Sequence, residues 1–255
     1  MNLDYNYTLL MLIFLRMTGC VFFNPILGRR NLPNMVKIGL TLMLSFFTYQ
    51  LTTDRSIEIH SFIVLFFSGL KELLIGYMVG YIIQLFLSVF IMGGEMSDVQ
   101  VGISMAKVYD PQSDVSMPLS ASLINAMFLM LFFVTNAHLT LVEVFVKLGA
   151  VVPYGDSLQI GADQFGALAA LLGQMLIYSV KLALPMVAIQ LIGEIGTGLM
   201  MRAVPQIDIF TVQIHLKLLL GFLVMLILVP SYSAFLERLI TLMFDRISSL
   251  YAMLA

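Results

Sequence analysis

Charged residues are scarce in this 255-residue chain, since Asp, Glu, Lys and Arg together make up only 11% of it. Soluble globular domains are about a quarter charged. This composition excludes an ordinary soluble enzyme. The net charge is −2 and no basic run is longer than Arg29-Arg30, so nothing in the charge pattern favours a nucleic-acid partner.

Cysteine is nearly absent as well, because Cys20 is the only one. A single cysteine excludes an intrachain disulfide and a thiolate metal cluster. Met17-Thr18-Gly19-Cys20 is similar to a lipoprotein cleavage site, but the preceding apolar stretch opens with Asp4 instead of a basic residue and is interrupted by Arg16. We therefore expect a buried thiol and a first helix that is not cleaved.

No catalytic or metal-binding pattern is complete. Gly102-Ile103-Ser104-Met105 is similar to the serine motif of rhomboid-type proteases but lacks the glycine after the serine. An aspartyl intramembrane protease would need a second motif to accompany Tyr109-Asp110, but Tyr154-Gly155-Asp156 follows Pro153, where that motif needs a glycine. The histidines lie far apart, at His60, His138 and His215. We expect neither an enzyme nor a metal or cofactor site.

What the chain does contain is apolar sequence, which makes up 60% of it and gives a mean hydropathy of +0.98. Such a chain is membrane-embedded and has room for about five to seven spanning helices of about 20 residues. Charges interrupt several apolar segments. Lys71-Glu72 is predicted to divide one long helix, and Glu143 and Lys147 can pair on one helix face. Short, interrupted apolar segments indicate helices that face other subunits.

A polar island runs from Gly93 to Pro118, between the uncharged segments Leu73 to Met92 and Leu119 to Val134. Its glycines, two prolines and turn-forming residues predict an irregular segment rather than a continuous helix. At membrane depth such backbone is tolerated only where protein or a water-filled path satisfies its polar groups. The island therefore predicts a pore-lining or pore-closing loop, with an exposed connecting loop as the alternative.

The best internal boundary is the acidic, breaker-rich stretch from Pro153 to Asp163. It separates a first part, residues 1–163, from a helical hairpin, residues 164–255. The hairpin is predicted to turn between Arg202 and Asp208, with Pro205 ending one helix and Asp208 capping the next.

Two features predict close or charged contacts. Gly76 and Gly80 leave one helix face bare, which indicates either intrachain packing or a subunit contact. For Lys181, Glu194 and Lys217, ion pairs between subunits or a wet lumen are favoured over a proton relay, because no acidic ladder follows along one face. Secondary transport is the alternative function.

Four sequence blocks occur in a specific order that spans nearly the whole chain. They are Phe14–Arg16 with Asn24–Pro33 and Val36–Leu40; Glu72–Gly76 with Gly80; Gly94–Ser104 with Asp110–Ser113 and Met117–Pro118; and Asn136–Leu139 with Ala183–Pro185 and Arg202–Phe210. Together these blocks resemble the FliR family of flagellar biosynthetic proteins, called the T component in injectisomes. Tyr109 departs from the family pattern, which often has an apolar residue there, and Ala137 stands where glycine is common.

The resemblance implies an all-α, noncatalytic export-gate subunit of a type III secretion system in the bacterial inner membrane, at the flagellar basal body or the base of a secretion apparatus. Residues 1–163 would be a FliP-like part and residues 164–255 a FliQ-like hairpin. FliP-like and FliQ-like subunits would complete a conduit for unfolded exported proteins. FlhB-like and FlhA-like components would be further partners, and energy would come from other subunits.

The resemblance also implies roles for particular residues. The family segment that matches Ala106 to Pro118 enters the lumen and helps to plug the closed channel. The residues expected to form this gate loop are Ala106, Val108, Tyr109, Asp110, Pro111, Val115, Met117 and Pro118. The cost of charge in lipid and the bare glycine face, independently of the resemblance, predict intersubunit packing or ion pairs for Arg16, Gly76, Gly80, Lys181, Glu194 and Lys217.

Overall fold

The computed structural model describes residues 7–29, 32–52, 61–103, 118–155, 162–203 and 209–253. These ranges are helical and contain no strand, so the all-α prediction is confirmed. The helices in these ranges are α1 (Tyr7–Phe22), α2 (Asn34–Leu51), α3 (Phe62–Val101), α4 (Leu119–Val134), α5 (Ala137–Val151), α6 (Ala162–Ala203) and α7 (Ile209–Ala252).

Three of these helices are long and apolar enough to cross a membrane: α3, the Gly166–Met200 part of α6 and the Gln213–Ala252 part of α7. The pair α4 and α5 adds a fourth if it forms one broken span. The described ranges thus contain three or four candidate membrane spans, fewer than the about five to seven for which the sequence has room. One reason is that the apolar helix α1 has only 16 residues.

Helix α3 corrects two predictions from the sequence. It is a single helix of 40 residues, so Lys71-Glu72 does not divide it. Glu72 is buried beside a cationic partner, which removes the cost that was expected to break the helix there. The first part of the polar island, Gly93 to Val101, also continues the helix instead of forming a loop. The helix ends only at Gly102, whose φ of 89° lies in the left-handed region that favours glycine.

The chain packs into two compact units. Unit 1 comprises residues 1–85, 136–170 and 241–255, and unit 2 comprises residues 86–135 and 171–240. Helices α3, α6 and α7 each contribute residues to both units. The division at residue 163 follows chain order rather than this packing, and it stays a prediction.

In unit 1, α1 packs against α2 and crosses α3 at two glycines. A Cβ atom on Gly19 would lie 2.9 Å from the Cα of Gly76, so no side chain fits between the two backbones. At Gly80 a Cβ would lie 2.5 Å from the carbonyl oxygen of Phe23. Gly76 and Gly80 therefore make close intrachain contacts, and a subunit contact at the same face stays a prediction.

A buried ion pair joins α1 to α3 near this crossing. Arg16 is fully buried, and its Nε donates to Oε2 of Glu72 at 2.5 Å. Its Nη1 donates to the carbonyl of Val152 at 2.7 Å, just after the end of α5. The second carboxylate oxygen of Glu72 accepts from the backbone N–H of Gly155 at 3.0 Å. The pair thus satisfies polar backbone groups that burial would otherwise leave without partners.

The ring of Tyr154 covers the same guanidinium group, with the Cζ of Arg16 4.1 Å from the ring centroid. This is the geometry of a cation–π contact. Burial raises the pKa of the Tyr154 hydroxyl to about 12, although the nearby Arg16 acts in the opposite direction. The hydroxyl therefore stays protonated and adds no second negative charge beside Glu72.

Unit 2 is held by aromatic and aliphatic side chains. The buried rings of Phe90 on α3 and Phe128 on α4 lie 4.9 Å apart, and Phe132 follows one helical turn later. A second buried group joins the end of α3 to α6 and α7 through Val101, Met186, Val224 and Met225. These contacts fix the last turns of α3 in place.

We expect Gly76→Ala to destabilise the protein, because its Cβ would collide with the carbonyl oxygen of Arg16 and lie 2.8 Å from the backbone nitrogen of Cys20. Overpacking of this kind costs about 1–3 kcal/mol. The matched control is Gly39→Ala in α2, where no heavy atom lies within 4 Å. This control should be neutral or stabilising by up to about 1 kcal/mol. Thermal unfolding in detergent checks both, and equal stability of the two variants would contradict the close crossing.

We expect Glu72→Gln to lower the free energy of unfolding by about 3–5 kcal/mol, since it leaves the guanidinium of Arg16 buried without its counter-charge. The control is Lys147→Met, which breaks an ion pair with Glu143 whose side chains are 70% and 58% exposed. Exposed pairs contribute at most about 1 kcal/mol. Denaturant titration of both variants measures the difference. A loss for Glu72→Gln no larger than for the control would show that the buried pair does not stabilise unit 1.

Candidate functional site

The structure describes the predicted gate loop only at its C-terminal end. Pro118 is described and immediately precedes α4. The other predicted gate-loop residues lie outside the described residues: Ala106, Val108, Tyr109, Asp110, Pro111, Val115 and Met117. The candidate site is therefore the junction between the last turns of α3 and the first turn of α4, from which this segment departs and to which it returns.

Asp98 on α3 and Ser120 on α4 form the polar centre of this junction. Both are buried, with exposed fractions of 2% and 3%. The backbone N–H of Ser120 lies 3.2 Å and 3.3 Å from the two carboxylate oxygens of Asp98. The hydroxyl of Ser120 also donates to Oδ1 of Asp98. One carboxylate thus binds a backbone donor and a side-chain donor of the same residue.

The local sequence explains why α4 needs this contact. The first N–H groups of a helix have no intrahelical acceptor, and a Ser, Thr, Asp or Asn at the N-cap position usually supplies one. Here the N-cap residue is Pro118, which makes no side-chain capping bond. Asp98 provides the missing acceptor from a neighbouring helix. Its negative charge also interacts favourably with the positive end of the α4 dipole.

Backbone packing holds the same two helices together. A Cβ on Gly94 would lie 2.6 Å from both Cα and Cβ of Ala121, so only glycine fits at this position of α3. Gly93, one residue earlier, leaves room for Leu182 of α6, since a Cβ there would lie 2.7 Å from its side chain. The two glycines that suggested a turn in the sequence therefore serve helix packing.

A second polar group joins the end of α3 to α6 and α7. Glu194 on α6 forms an ion pair with Lys217 on α7, and Nε2 of Gln100 donates to the same Oε1 atom of Glu194 at 3.4 Å. Gln190 adds a link between α6 and α7, because its Nε2 donates to the backbone carbonyl of Lys217 at 3.0 Å. Glu194 and Lys217, which were predicted to pair with other subunits, satisfy one another within the chain.

Lys181 differs from the other charged residues in the apolar helices. It is exposed on α6, and its Nζ lies 5.4 Å from the ring centroid of Tyr178. In the part of the chain that the structure describes, no carboxylate pairs with it. For Arg16, Gly76, Gly80, Glu194 and Lys217 the structure gives intrachain contacts. An intersubunit role stays a prediction for all six residues.

The face of unit 2 beside the junction carries an open groove of about 580 Å³. It is apolar except for Glu95 and Ser179. The lining residues are Met92, Glu95, Met96, Val99, Leu176, Ser179 and Val180. Among the described residues, no three His, Cys, Asp or Glu side chains come close enough to hold a metal ion. The described residues of the site offer apolar packing and the hydrogen bonds between Asp98 and Ser120.

Sequence reasoning missed Asp98 and Ser120, although it placed Asp98 within the polar island. Two signals could have linked them. A helix that starts directly after Pro118 has no side chain of its own to cap it, and a carboxylate among apolar helices requires a donor. The 22 residues between Asp98 and Ser120 hide the contact from any pattern based on short spacing.

Several known proteins are similar to this chain over most of its length. The chain is 29% identical over 236 residues to the flagellar biosynthetic protein FliR of Escherichia coli K12. The matched region covers 92% of this chain and 90% of the E. coli protein. It is 26% identical over 253 residues to FliR of Bacillus subtilis 168, and the matched region covers 95% of this chain and 94% of the B. subtilis protein. FliR of Pectobacterium carotovorum is 26% identical over 242 residues.

The resemblance to the FliR family is thereby confirmed over most of the chain. A family profile described as bacterial export proteins, family 1, matches residues 7–243, which include α1 to α6 and most of α7. The chain therefore belongs to family 1 of the bacterial export proteins.

Proposed function

We propose that this chain is an export-gate subunit of a flagellar type III secretion apparatus. With FliP-like and FliQ-like subunits it would form the conduit through which unfolded proteins leave the cell. The observation that carries the proposal is the family match over residues 7–243, together with relatives named as flagellar biosynthetic proteins. The long apolar helices α3, α6 and α7 support a location in the inner membrane.

The surface of the α6–α7 hairpin supports a role within a larger assembly. Only 33% of the apolar window of α6 and 22% of that of α7 is buried within the chain. Lipid could cover apolar side chains, but the exposed charge of Lys181 on α6 is costly in lipid. A neighbouring protein or a water-filled path would relieve this cost. An assembly with a lumen offers both.

The junction of α3 and α4 supports a gating role for the segment between them. The hydrogen bonds between Asp98 and Ser120 and the contact of Gly94 with Ala121 hold the two ends together. The segment between these ends contains Val108, Tyr109 and Val115. A deformable apolar seal on a firm base can exclude water and still part for a passing chain. We propose that residues 106–118 plug the closed conduit in this way.

Energy for export would come from other subunits. The sequence carries no phosphate-binding loop, and the relatives are named as biosynthetic rather than enzymatic proteins. We propose that an associated ATPase and the proton motive force act through other components, including FlhA-like and FlhB-like proteins. This chain would then be a noncatalytic part of the pore.

We expect the chain to be poorly stable alone and to form a defined complex when it is produced with FliP-like and FliQ-like subunits. Lys181→Met provides a test of the surface, because it removes the exposed charge without shortening the side chain appreciably. It should change complex yield more than Lys147→Met on the exposed face of α5. Size-exclusion chromatography with mass measurement checks this prediction. A stable monomer that ignores these subunits and transports a small solute by itself would support the secondary-transporter alternative.

We expect deletion of part of residues 106–117 to raise the resting ion conductance of the assembled complex, because the apolar seal would be shortened. A deletion of equal length within residues 156–160, the connection between α5 and α6, is the control and should leave conductance unchanged. Planar-bilayer recording measures both.

A crosslinking experiment tests contact with the exported chain. In a Cys20→Ser background, cysteines at Tyr109 or Val115 should crosslink to a substrate arrested in transit, whereas a cysteine at the exposed Lys147 should not. Unchanged conductance after the deletion, together with no crosslink from either position, would show that the segment is only a connector.

A further inference from the structure

Asp98 is a buried charge without a cationic partner. Asp98 is a buried residue of α3, and in the described ranges no Lys, Arg or His forms an ion pair with its carboxylate. A buried carboxylate is costly unless hydrogen bonds stabilise its charged form. The donors that the structure gives it are the backbone N–H and the hydroxyl of Ser120, at the positive end of the α4 dipole. The buried carboxylate of Asp98 therefore keeps these hydrogen bonds only while the start of α4 stays in place.

The dependence is mutual. Helix α4 starts after Pro118, which cannot cap it, so the first turn relies on an acceptor from α3. The backbones also meet at Gly94 and Ala121, where no side chain fits. Separating α3 from α4 would strand a carboxylate and two donors at the same time, since groups that lose a buried partner bear their full desolvation cost.

We propose that Asp98 is a positioning residue that keeps the end of α3 joined to the start of α4 throughout export. This inference rests on the proposed function and extends it by naming the part of the gate that does not move. Asp98 would cap α4 in the resting and in the exporting state. The two helices would then act as one fixed base.

The first test is Asp98→Asn in the assembled complex. The amide keeps the size of the side chain but loses the charge and one of the acceptor oxygens. Loss of a cap costs about 1 kcal/mol, and about 1.4 kcal/mol corresponds to a tenfold change in an equilibrium constant. The equilibrium between joined and separated helices should therefore shift about fivefold, and we expect resting conductance per assembled complex to rise by about the same factor. Ser120→Ala, which retains the carboxylate but removes the hydroxyl donor, should raise conductance in the same direction.

The matched control is Ser97→Ala. Ser97 is buried next to Asp98 in the sequence, but its hydroxyl donates within α3, to the carbonyl of Gly93 at 2.9 Å. Removing it should leave conductance at the wild-type level. If Asp98 only contributed to folding, its variant would lower complex yield without changing the conductance of the complexes that do form. Conductance is therefore normalised to assembled complex.

A covalent link tests whether the base opens. In a Cys20→Ser background, Asp98→Cys with Ser120→Cys removes the cap and allows a disulfide to replace it. We expect the reduced form to leak, and the oxidised form to recover low resting conductance and still export substrate. Disulfide formation is checked by a mobility shift after denaturation.

Three results would overturn the inference. One is wild-type conductance for both Asp98→Asn and Ser120→Ala in complexes that assemble normally. Another is failure of both variants to assemble, which would assign Asp98 to folding alone. The third is an oxidised double-cysteine complex that assembles but cannot export, which would show that α3 and α4 must separate. If the deletion within residues 106–117 raises conductance while these variants do not, only the positioning role of Asp98 is wrong. If the deletion also has no effect, the proposed gating role of residues 106–118 is wrong.

Discussion

Buried charged side chains satisfy helix ends in this protein, and both compact units depend on such contacts. Arg16 donates to the carbonyl of Val152 after α5, Glu72 accepts from the amide of Gly155, and Asp98 accepts from the amide of Ser120 in the first turn of α4. Arg16 and Asp98 lie at helix ends of opposite partial charge, whereas Glu72 binds a backbone amide four residues after the end of α5. Because an unpaired polar group is costly in apolar surroundings, these contacts fix where helices can begin and end.

Glycines make these contacts possible by bringing helix backbones together. Gly19 and Gly76 meet where α1 crosses α3, and Arg16 and Glu72 lie within one helical turn of this point on their respective helices. Gly94 meets Ala121 four residues before Asp98 reaches Ser120. In both units a close backbone contact and a buried charge occur together. The short backbone distance lets a carboxylate or guanidinium of limited length reach the next helix.

Much of the fold could be predicted from the sequence, because helix propensity and apolar segments act locally. The hairpin is an example: α6 ends at Ala203 and α7 begins at Ile209, on either side of the predicted turn. The partners of the charges could not be predicted, since Arg16 and Glu72 are 56 residues apart and Asp98 and Ser120 are 22 apart. Gly93 and Gly94 led to the wrong prediction of a loop, because a missing Cβ permits both a turn and a close helix contact.

The same contacts give a physical basis for combining firmness and adaptability in one export subunit. In the function proposed for this chain, the conduit changes shape at its constriction, whereas its walls keep their polar backbone groups paired at membrane depth. Bonds that involve buried charges are costly to break, so they suit the parts that stay fixed. Apolar side chains such as Met92 and Met96, which line the groove beside the junction, can repack at small cost. In the proposed function, the cap that Asp98 forms belongs to the fixed part of the subunit, and the apolar groove belongs to the part that can repack.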